Sequence, residues 1–445
     1  MRRSPGKKAG AVTIESTFHK NRRLLKGIPL LLVTAKMHSS NLCKPERQSH
    51  PIAGLALLLF AVPLSQSSPW AALWTTPCIL VASIVITWGA ESAQFFVAQG
   101  FALAILAWMQ TLPEFAVEAV LAWKQQTTLL IANLTGALRL LTGLAWPMIY
   151  ATAAMVHRRR TGQPLRSIQL HRDHSVEVVA LVLPLLYALV IWWKQTLHVY
   201  DACILVAMYA AYLILLTKLP PQTHEHIDDL ETVPRTIVKA PRPWRISAIA
   251  GCFLAGGLLI YFTAEPFLGS LVAVAGAIGI PSFIVIQWFA PVISEFPEFA
   301  STFYFARQQE NAATAIMNIA SSNINQWTLL MAMLPTVFSM SRGDLSPIPL
   351  DPQQSSELLL TIGQSCAGMI FLLNMRFDWW EALAMFVLFV AQFVLPVFFG
   401  EGVRVWITYA FFAWTAIALI QILARRQRPA AITNFLETWR AHVVG

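Results

Sequence analysis

Charge is scarce in this sequence. Asp, Glu, Lys and Arg make up 12% of its 445 residues and hydrophobic residues 56%. Soluble domains carry about 25% charged residues, so a water-soluble globular fold is excluded. Cysteine is scarcer still. Cys43, Cys78, Cys203, Cys252 and Cys366 stand singly, four of them in apolar segments. No CxxC or Cys/His spacing occurs, so neither a zinc site nor a disulfide framework is implied. Small buried hydrophobes are the expected role of those four. No HExxH, GxSxG or Walker motif lies on an apolar run, so no enzyme and no cofactor are expected. The net charge of +9 suggests a nucleic-acid partner only until it is located. Residues 1–50 hold 11 Lys/Arg and 2 Asp/Glu, and the rest of the chain has 21 of each. No nucleic-acid surface follows.

Long apolar runs are what the chain has in abundance. They mark a polytopic membrane protein, with the lipid bilayer as its solvent. A marginal run at 51–64 is followed by expected spans near 70–90, 95–123, 127–156, 176–193 and 199–217. The second half offers 246–279, 281–306, 310–340, 356–375 and 379–399, then a final span at 403–424. Residues 1–50 form a basic cytoplasmic tail, 51–217 a first membrane half and 218–245 a cytoplasmic loop containing His224-Glu225-His226. Residues 246–424 form the second half and 425–445 a basic tail. The predicted fold is therefore all-α: two five-helix halves with one extra helix at each end, about twelve spans. An odd number of helices per half forces an inverted repeat. Loop charges agree with this count. The loop 157–174 carries Arg158, Arg159, Arg160, Arg166 and Arg172, whereas 341–357 carries Asp344, Asp351 and Glu357 against Arg342. Positive charge stays inside, which puts both termini in the cytoplasm and fits the cell (inner) membrane.

Two tetrapeptides organise the apolar runs. Pro113-Glu114-Phe115-Ala116 has a twin in Pro297-Glu298-Phe299-Ala300. A proline lacks its N–H and frees the carbonyl four residues back, here Met109 and Ile293. A glutamate at such a place is costly in lipid and marks a functional site. Freed carbonyl and carboxylate oxygens together suit a hard cation. Asn133 follows Glu114 by 19 residues, and Asn318 follows Glu298 by 20. Repeats of this kind on broken helices point to a midplane site in a secondary transporter. Glu118 shares a helix face with Glu114, and Glu295 with Glu298. Four bare carboxylates at low dielectric repel strongly, so protons, a cation or Arg139 must compensate them. Thr111, Ser294 and Ser322 are weaker candidate oxygens, since Ser and Thr also serve helix packing. His157, His171 and His174 are expected on a solvated face.

The chain resembles the cation/calcium exchanger superfamily, which includes the sodium/calcium exchangers. That family's two repeats run roughly Gly-Thr-Ser-x-Pro-Glu, then Gly-Asn-x-x-Gly-Ser-Asn about twenty residues on. The second repeat here is Ile293-Ser294-Glu295-Phe296-Pro297-Glu298, then Met317-Asn318-Ile319-Ala320-Ser321-Ser322-Asn323. The first is Met109-Gln110-Thr111-Leu112-Pro113-Glu114, then Ala132-Asn133-Leu134-Thr135-Gly136-Ala137-Leu138. The resemblance implies a cation antiporter exchanging Ca²⁺ for Na⁺ or H⁺ by alternating access. It implies a site built from Glu114, Glu298, Asn133 and Asn318, with Glu295, Glu118, Ser294, Ser322 and Thr111 as further ligands. Arg139, following Ala137-Leu138 where the family keeps Ser-Asn, is expected to modulate that site or to be structural. Exchange of monovalent cations for protons, or a degenerate scaffold, are the alternatives.

Overall fold

A computed structural model of the protein describes residues 68–96, 111–218, 230–307, 311–424 and 429–441. All belong to the second of two units, 1–49 and 50–445. The basic segment 1–50, the run 51–64, Met109, Gln110 and His224-Glu225-His226 lie outside the described residues.

The described chain is almost wholly helical. The first half supplies α1 (Ala72–Ala93), α2 (Leu112–Trp123), α3 (Thr127–Leu140), α4 (Trp146–Thr161), α5 (Ser175–Ala180), α6 (Val182–Lys194) and α7 (Val199–Lys218). A short α8 (Thr232–Lys239) follows. The second half supplies α9 (Arg242–Ile278), α10 (Ser282–Ser294), α11 (Phe296–Arg307), α12 (Ala312–Asn325), α13 (Met331–Arg342), α14 (Pro352–Leu372) and α15 (Trp379–Phe399). Then come α16 (Val403–Ala424) and α17 (Ala430–Trp439). Among the described residues, eight helical segments are long and apolar enough to cross a membrane. The protein is an integral, multi-pass membrane protein.

Several segments differ from the sequence expectation. The segment 218–245, expected as a loop, contains α8. Its Pro234, Ile237 and Val238 recur at helical spacing and are buried against α1, which is enough to hold a short amphipathic helix. The tail 425–445 contains α17, which docks on α5 through buried Ala431. The span 281–306 is broken at Glu295, because Pro297 has no N–H for the carbonyl of Ile293. His174, expected on a solvated face, is 3% exposed, since α5 begins beside it and α17 covers that end.

The two halves repeat one another in detail. A π-helical turn, Leu141–Ala145, joins α3 to α4, and another, Gln326–Leu330, joins α12 to α13. Four short strands lie between helices: β1 (Ser167–Gln169), β2 (Thr196–Leu197), β3 (Ile348–Pro349) and β4 (Arg376–Asp378). β1 pairs with β4 and β2 with β3, each antiparallel, with Ile168 opposite Phe377 and Leu197 opposite Ile348. Exchanging the halves turns one pair into the other. The residues that turn the chain into β2 and β4, Gln195 and Met375, both take positive φ. Each carbonyl then accepts from the other half, from Leu350 N at 3.0 Å and Leu170 N at 2.9 Å. The helices after β2 and β4 start alike. Asp201 reaches back to His198 N at 2.6 Å, and Glu381 to Asp378 N at 2.7 Å.

Two glycines permit close packing. A Cβ at Gly136 would lie 2.0 Å from the Gln287 carbonyl oxygen, so α3 touches the α10 backbone only because that atom is missing. A Cβ at Gly256 of α9 would lie 2.6 Å from Ile86 of α1. Large apolar side chains such as Leu183, Val190, Phe262, Leu383, Phe386, Tyr409 and Leu423 face outward, as a lipid-facing surface requires.

Candidate functional site

Both Pro-Glu pairs sit in the first turn of a helix. Pro113 and Glu114 open α2 behind Thr111, and Pro297 and Glu298 open α11 behind the break at Glu295. A proline is harmless there, where its N–H would have no partner anyway. The first turn also favours negative charge, because unpaired N–H groups gather at it. Sequence thus dictates two helix starts, each presenting a carboxylate.

The fold brings these starts together. Gln326 donates through one amide nitrogen to Glu114 Oε2 at 2.7 Å and to Glu295 Oε1 at 2.6 Å. One side chain therefore ties a glutamate of the first half to one of the second. Glu295 stands near both Glu114 and Glu298. Glu118, one turn beyond Glu114, accepts from Asn133 Nδ2 at 3.3 Å. Asn325 Nδ2 donates to Thr111 Oγ1 at 2.6 Å. Ser322 lies beside Glu298. Ser294 turns inward along its own helix and donates to the Ala290 carbonyl at 3.1 Å.

The site is closed to water. Glu114, Glu118, Glu298 and Asn133 are 0% exposed and Glu295 1%, whereas Asn318 and Ser321 on α12 reach 8%. No Lys or Arg pairs with the four glutamates among the described residues. Oxygens with no hydrogen-bond partner remain on Glu114, Glu118, Glu295, Glu298, Asn133, Ser322 and Gln326. Buried oxygens of that kind require a donor or a cation. Among the described residues, however, no three Asp, Glu, His or Cys side chains are arranged to hold one ion by themselves. Amide and hydroxyl oxygens must complete any shell.

Arg139 does not join this cluster. Its guanidinium pairs with Glu357 Oε2 of α14 at 2.8 Å, with both side chains 2% exposed. Arg139 also donates to Gln392 Oε1 at 3.0 Å and to its own Thr135 carbonyl at 3.0 Å. Arg404 of α16 grips the other oxygen of Glu357, and Gln287 donates to Oε2 at 2.9 Å. Gln364 donates to the Arg139 carbonyl at 2.8 Å, serving the π turn that follows. Arg139 thus fastens α3 to the helices of the second half.

Sequence reasoning missed Gln326, Asn325 and Glu357. The first two were visible as a stripe, since Asn318, Ser321, Ser322, Asn325 and Gln326 recur at helical spacing within an apolar segment. Glu357 was counted as a loop acid, because no local signal marks a carboxylate whose partners are 218 and 47 residues away.

The family model described as "Sodium/calcium exchanger protein" matches residues 67–218 and 248–398. Among solved structures, an H⁺/Ca²⁺ exchanger, CAX, is 30% identical, with a TM-score of 0.78 over 88% of this chain and 97% of its own. The structure of YfkE, 14% identical, superposes with a TM-score of 0.53 over 81% of this chain and 98% of its own. No curated protein sequence matches the chain.

Proposed function

The chain belongs to the sodium/calcium exchanger protein family, and on that premise we propose that it exchanges Ca²⁺ for H⁺ by alternating access. The family's members are transporters, and a cation/Ca²⁺ antiporter is the activity the relationship supports; the coupling ion is our own reading. One observation carries it. Glutamates from both halves meet across Gln326, fully buried, with no Lys or Arg paired to them among the described residues. A cation or protons must balance such a group. Two protons on the cluster carry the same charge as one Ca²⁺, so exchanging them leaves the buried charge constant. The H⁺/Ca²⁺ exchanger among its structural relatives agrees with that balance. Na⁺ coupling would call for further oxygen sites. The first repeat offers buried Ala137 and Leu138 where such oxygens would stand.

In this reading Glu114 and Glu298 are the central ligands of the transported ion, with Glu295 and Glu118 taking protons or completing the shell. Asn133 and Asn318 contribute amide oxygens, and Ser322, Thr111 and Ser294 are accessory. Ca²⁺ seeks about six to eight oxygens. More of the unpartnered ones belong to the second half, so the ion sits nearer Glu298, with Glu114 reaching across. The chain crosses the membrane about twelve times as an inverted repeat, both termini cytoplasmic. No cofactor takes part. The deciding experiment is Ca²⁺ flux into proteoliposomes under imposed H⁺, Na⁺ or K⁺ gradients. Uptake is expected to follow the pH gradient. Uptake driven by Na⁺ and indifferent to pH would refute the coupling.

A further inference from the structure

Arg158, Arg159 and Arg160 close the last turn of α4, and Arg342 that of α13. A helix favours cations at that end, where its unpaired carbonyls gather. The elbow between α8 and α9 reverses this order. Arg242 opens α9 and Arg245 stands three residues on, at the end that disfavours a cation, and that first turn holds no acid. From Thr232 to Ala264 the sequence carries four bases, Arg235, Lys239, Arg242 and Arg245, and no acid. Neither Arg242 nor Arg245 pairs with a carboxylate among the described residues. Neighbours on one helix, the two also repel each other.

Packing, not charge, holds this elbow in place. Pro234, Ile237 and Val238 seat α8 against α1, and Arg235 Nη2 donates to the Leu230 carbonyl at 2.5 Å. Glu231, just before α8, accepts from Trp88 Nε1 of α1 at 3.0 Å. Pro241 caps α9 and Pro243 lies in its first turn, which fixes φ at both. Lys239 and Arg242 are exposed and Arg245 is half-buried, its guanidinium 3.8 Å from the ring centroid of Phe96. Between the arginines Trp244 is 73% exposed, and Ile246 beside them is exposed as well. Helix α9 is long and apolar enough to cross a membrane, so these bases and apolar side chains gather at the end where it enters the bilayer. Tryptophan beside bases is the composition of a membrane–water boundary.

We propose that the α8–α9 elbow is a docking surface for the headgroups of anionic phospholipids, with Lys239, Arg242 and Arg245 on the phosphates and Trp244 and Ile246 in the apolar boundary beside them. The guanidinium fork matches two phosphate oxygens at once, and bases next to a spanning helix draw anionic lipid. A phosphatidylcholine headgroup carries its own cation and is neutral overall, so it relieves neither the repulsion between the arginines nor the positive helix end. A phosphatidylglycerol headgroup keeps its negative charge and relieves both. Because α8 is seated on α1 and runs into α9, a lipid held here is joined to both helices. The inference is independent of the coupling ion and needs only that α9 spans the membrane.

The test titrates full-length protein in neutral detergent with phosphatidylglycerol or phosphatidylcholine and counts bound lipid by native mass spectrometry. Wild-type protein is expected to prefer phosphatidylglycerol. Arg242→Gln with Arg245→Gln is expected to weaken phosphatidylglycerol binding by about tenfold or more, the scale of two lost bases, and to leave phosphatidylcholine binding unchanged. Arg242→Gln alone is expected to lose part of the preference, and Arg242→Lys with Arg245→Lys to keep most of it. Arg158→Gln with Arg159→Gln removes the same charge from the end of α4 and is expected to change nothing. Undiminished phosphatidylglycerol binding in the elbow variants would overturn the proposal. Equal losses in the elbow and α4 pairs would assign the preference to overall surface charge and overturn it too. So would displacement of the lipid by inorganic phosphate, which would make the elbow a site for free anions.

Discussion

Replacing Glu357 by glutamine removes the counter-charge of two arginines unequally. Arg404 is 11% exposed in its side chain and keeps Glu401 at 3.1 Å as a second partner. Arg139 is 2% exposed and retains only neutral acceptors, Gln392 and a carbonyl. Glu357→Gln therefore leaves an uncompensated buried guanidinium, at a cost of roughly 3–5 kcal/mol. Arg139→Met leaves Glu357 still gripped by Arg404 and Gln287, so its cost is roughly 1–3 kcal/mol. The double variant leaves neither charge stranded, and its cost is expected to fall well short of the sum, as for any pair in direct contact. At about 2 °C per kcal/mol or less for a long chain, Glu357→Gln lowers the melting temperature by a few to about 10 °C. Intrinsic tryptophan fluorescence of detergent-purified protein on heating measures this. The ordering is the readout, Glu357→Gln lowest and the double variant recovering. Additive losses, or Arg139→Met falling furthest, would refute the account of the network.

Other consequences are as direct. Glu298→Gln and Glu114→Gln are each expected to abolish Ca²⁺ flux while leaving the melting temperature unchanged or raised, since removing a buried charge relieves the fold; normal flux in either would remove that residue from the site. Gln326→Leu strands two buried carboxyls and is expected to cost roughly 1–3 kcal/mol, seen as a lower melting temperature together with lost transport. Gly136→Ala drives a methyl to within 2.0 Å of the Gln287 carbonyl; α3 and α10 must separate, and folded yield on size exclusion is expected to fall sharply. A cysteine at Gln163 is expected to label only from the cytoplasm and one at Ser346 only from outside; labelling of both from one side would overturn the inverted topology.

Much of this architecture was legible in the sequence because membranes impose long apolar periods. The twin Pro-Glu pairs read as breaks within the spans 95–123 and 281–306, which the fold resolves into helix starts at Leu112 and Phe296, and Asn133 and Asn318 mark the helices that follow them. The elements that escaped depend on distance along the chain. Nothing near Arg139 announces Glu357, and nothing near Glu114 announces Gln326. The π turns were also silent, being set by how helices pack rather than by local preference. Helix α8 was overlooked because eight residues leave too short an amphipathic pattern to stand out from a polar segment.

The crossed strand pairs bear on how the chain is made. β1 hydrogen-bonds to β4, and β2 to β3, so neither half owns a complete pair. At about 5–20 residues per second, roughly 200 residues separate the emergence of β1 from that of its partner. For tens of seconds or less, the nascent first half presents two bare strand edges, with Gln195 waiting for Leu350. Both pairs therefore close only in the last quarter of translation. A chain stopped before residue 376 carries β1 without the strand that completes it.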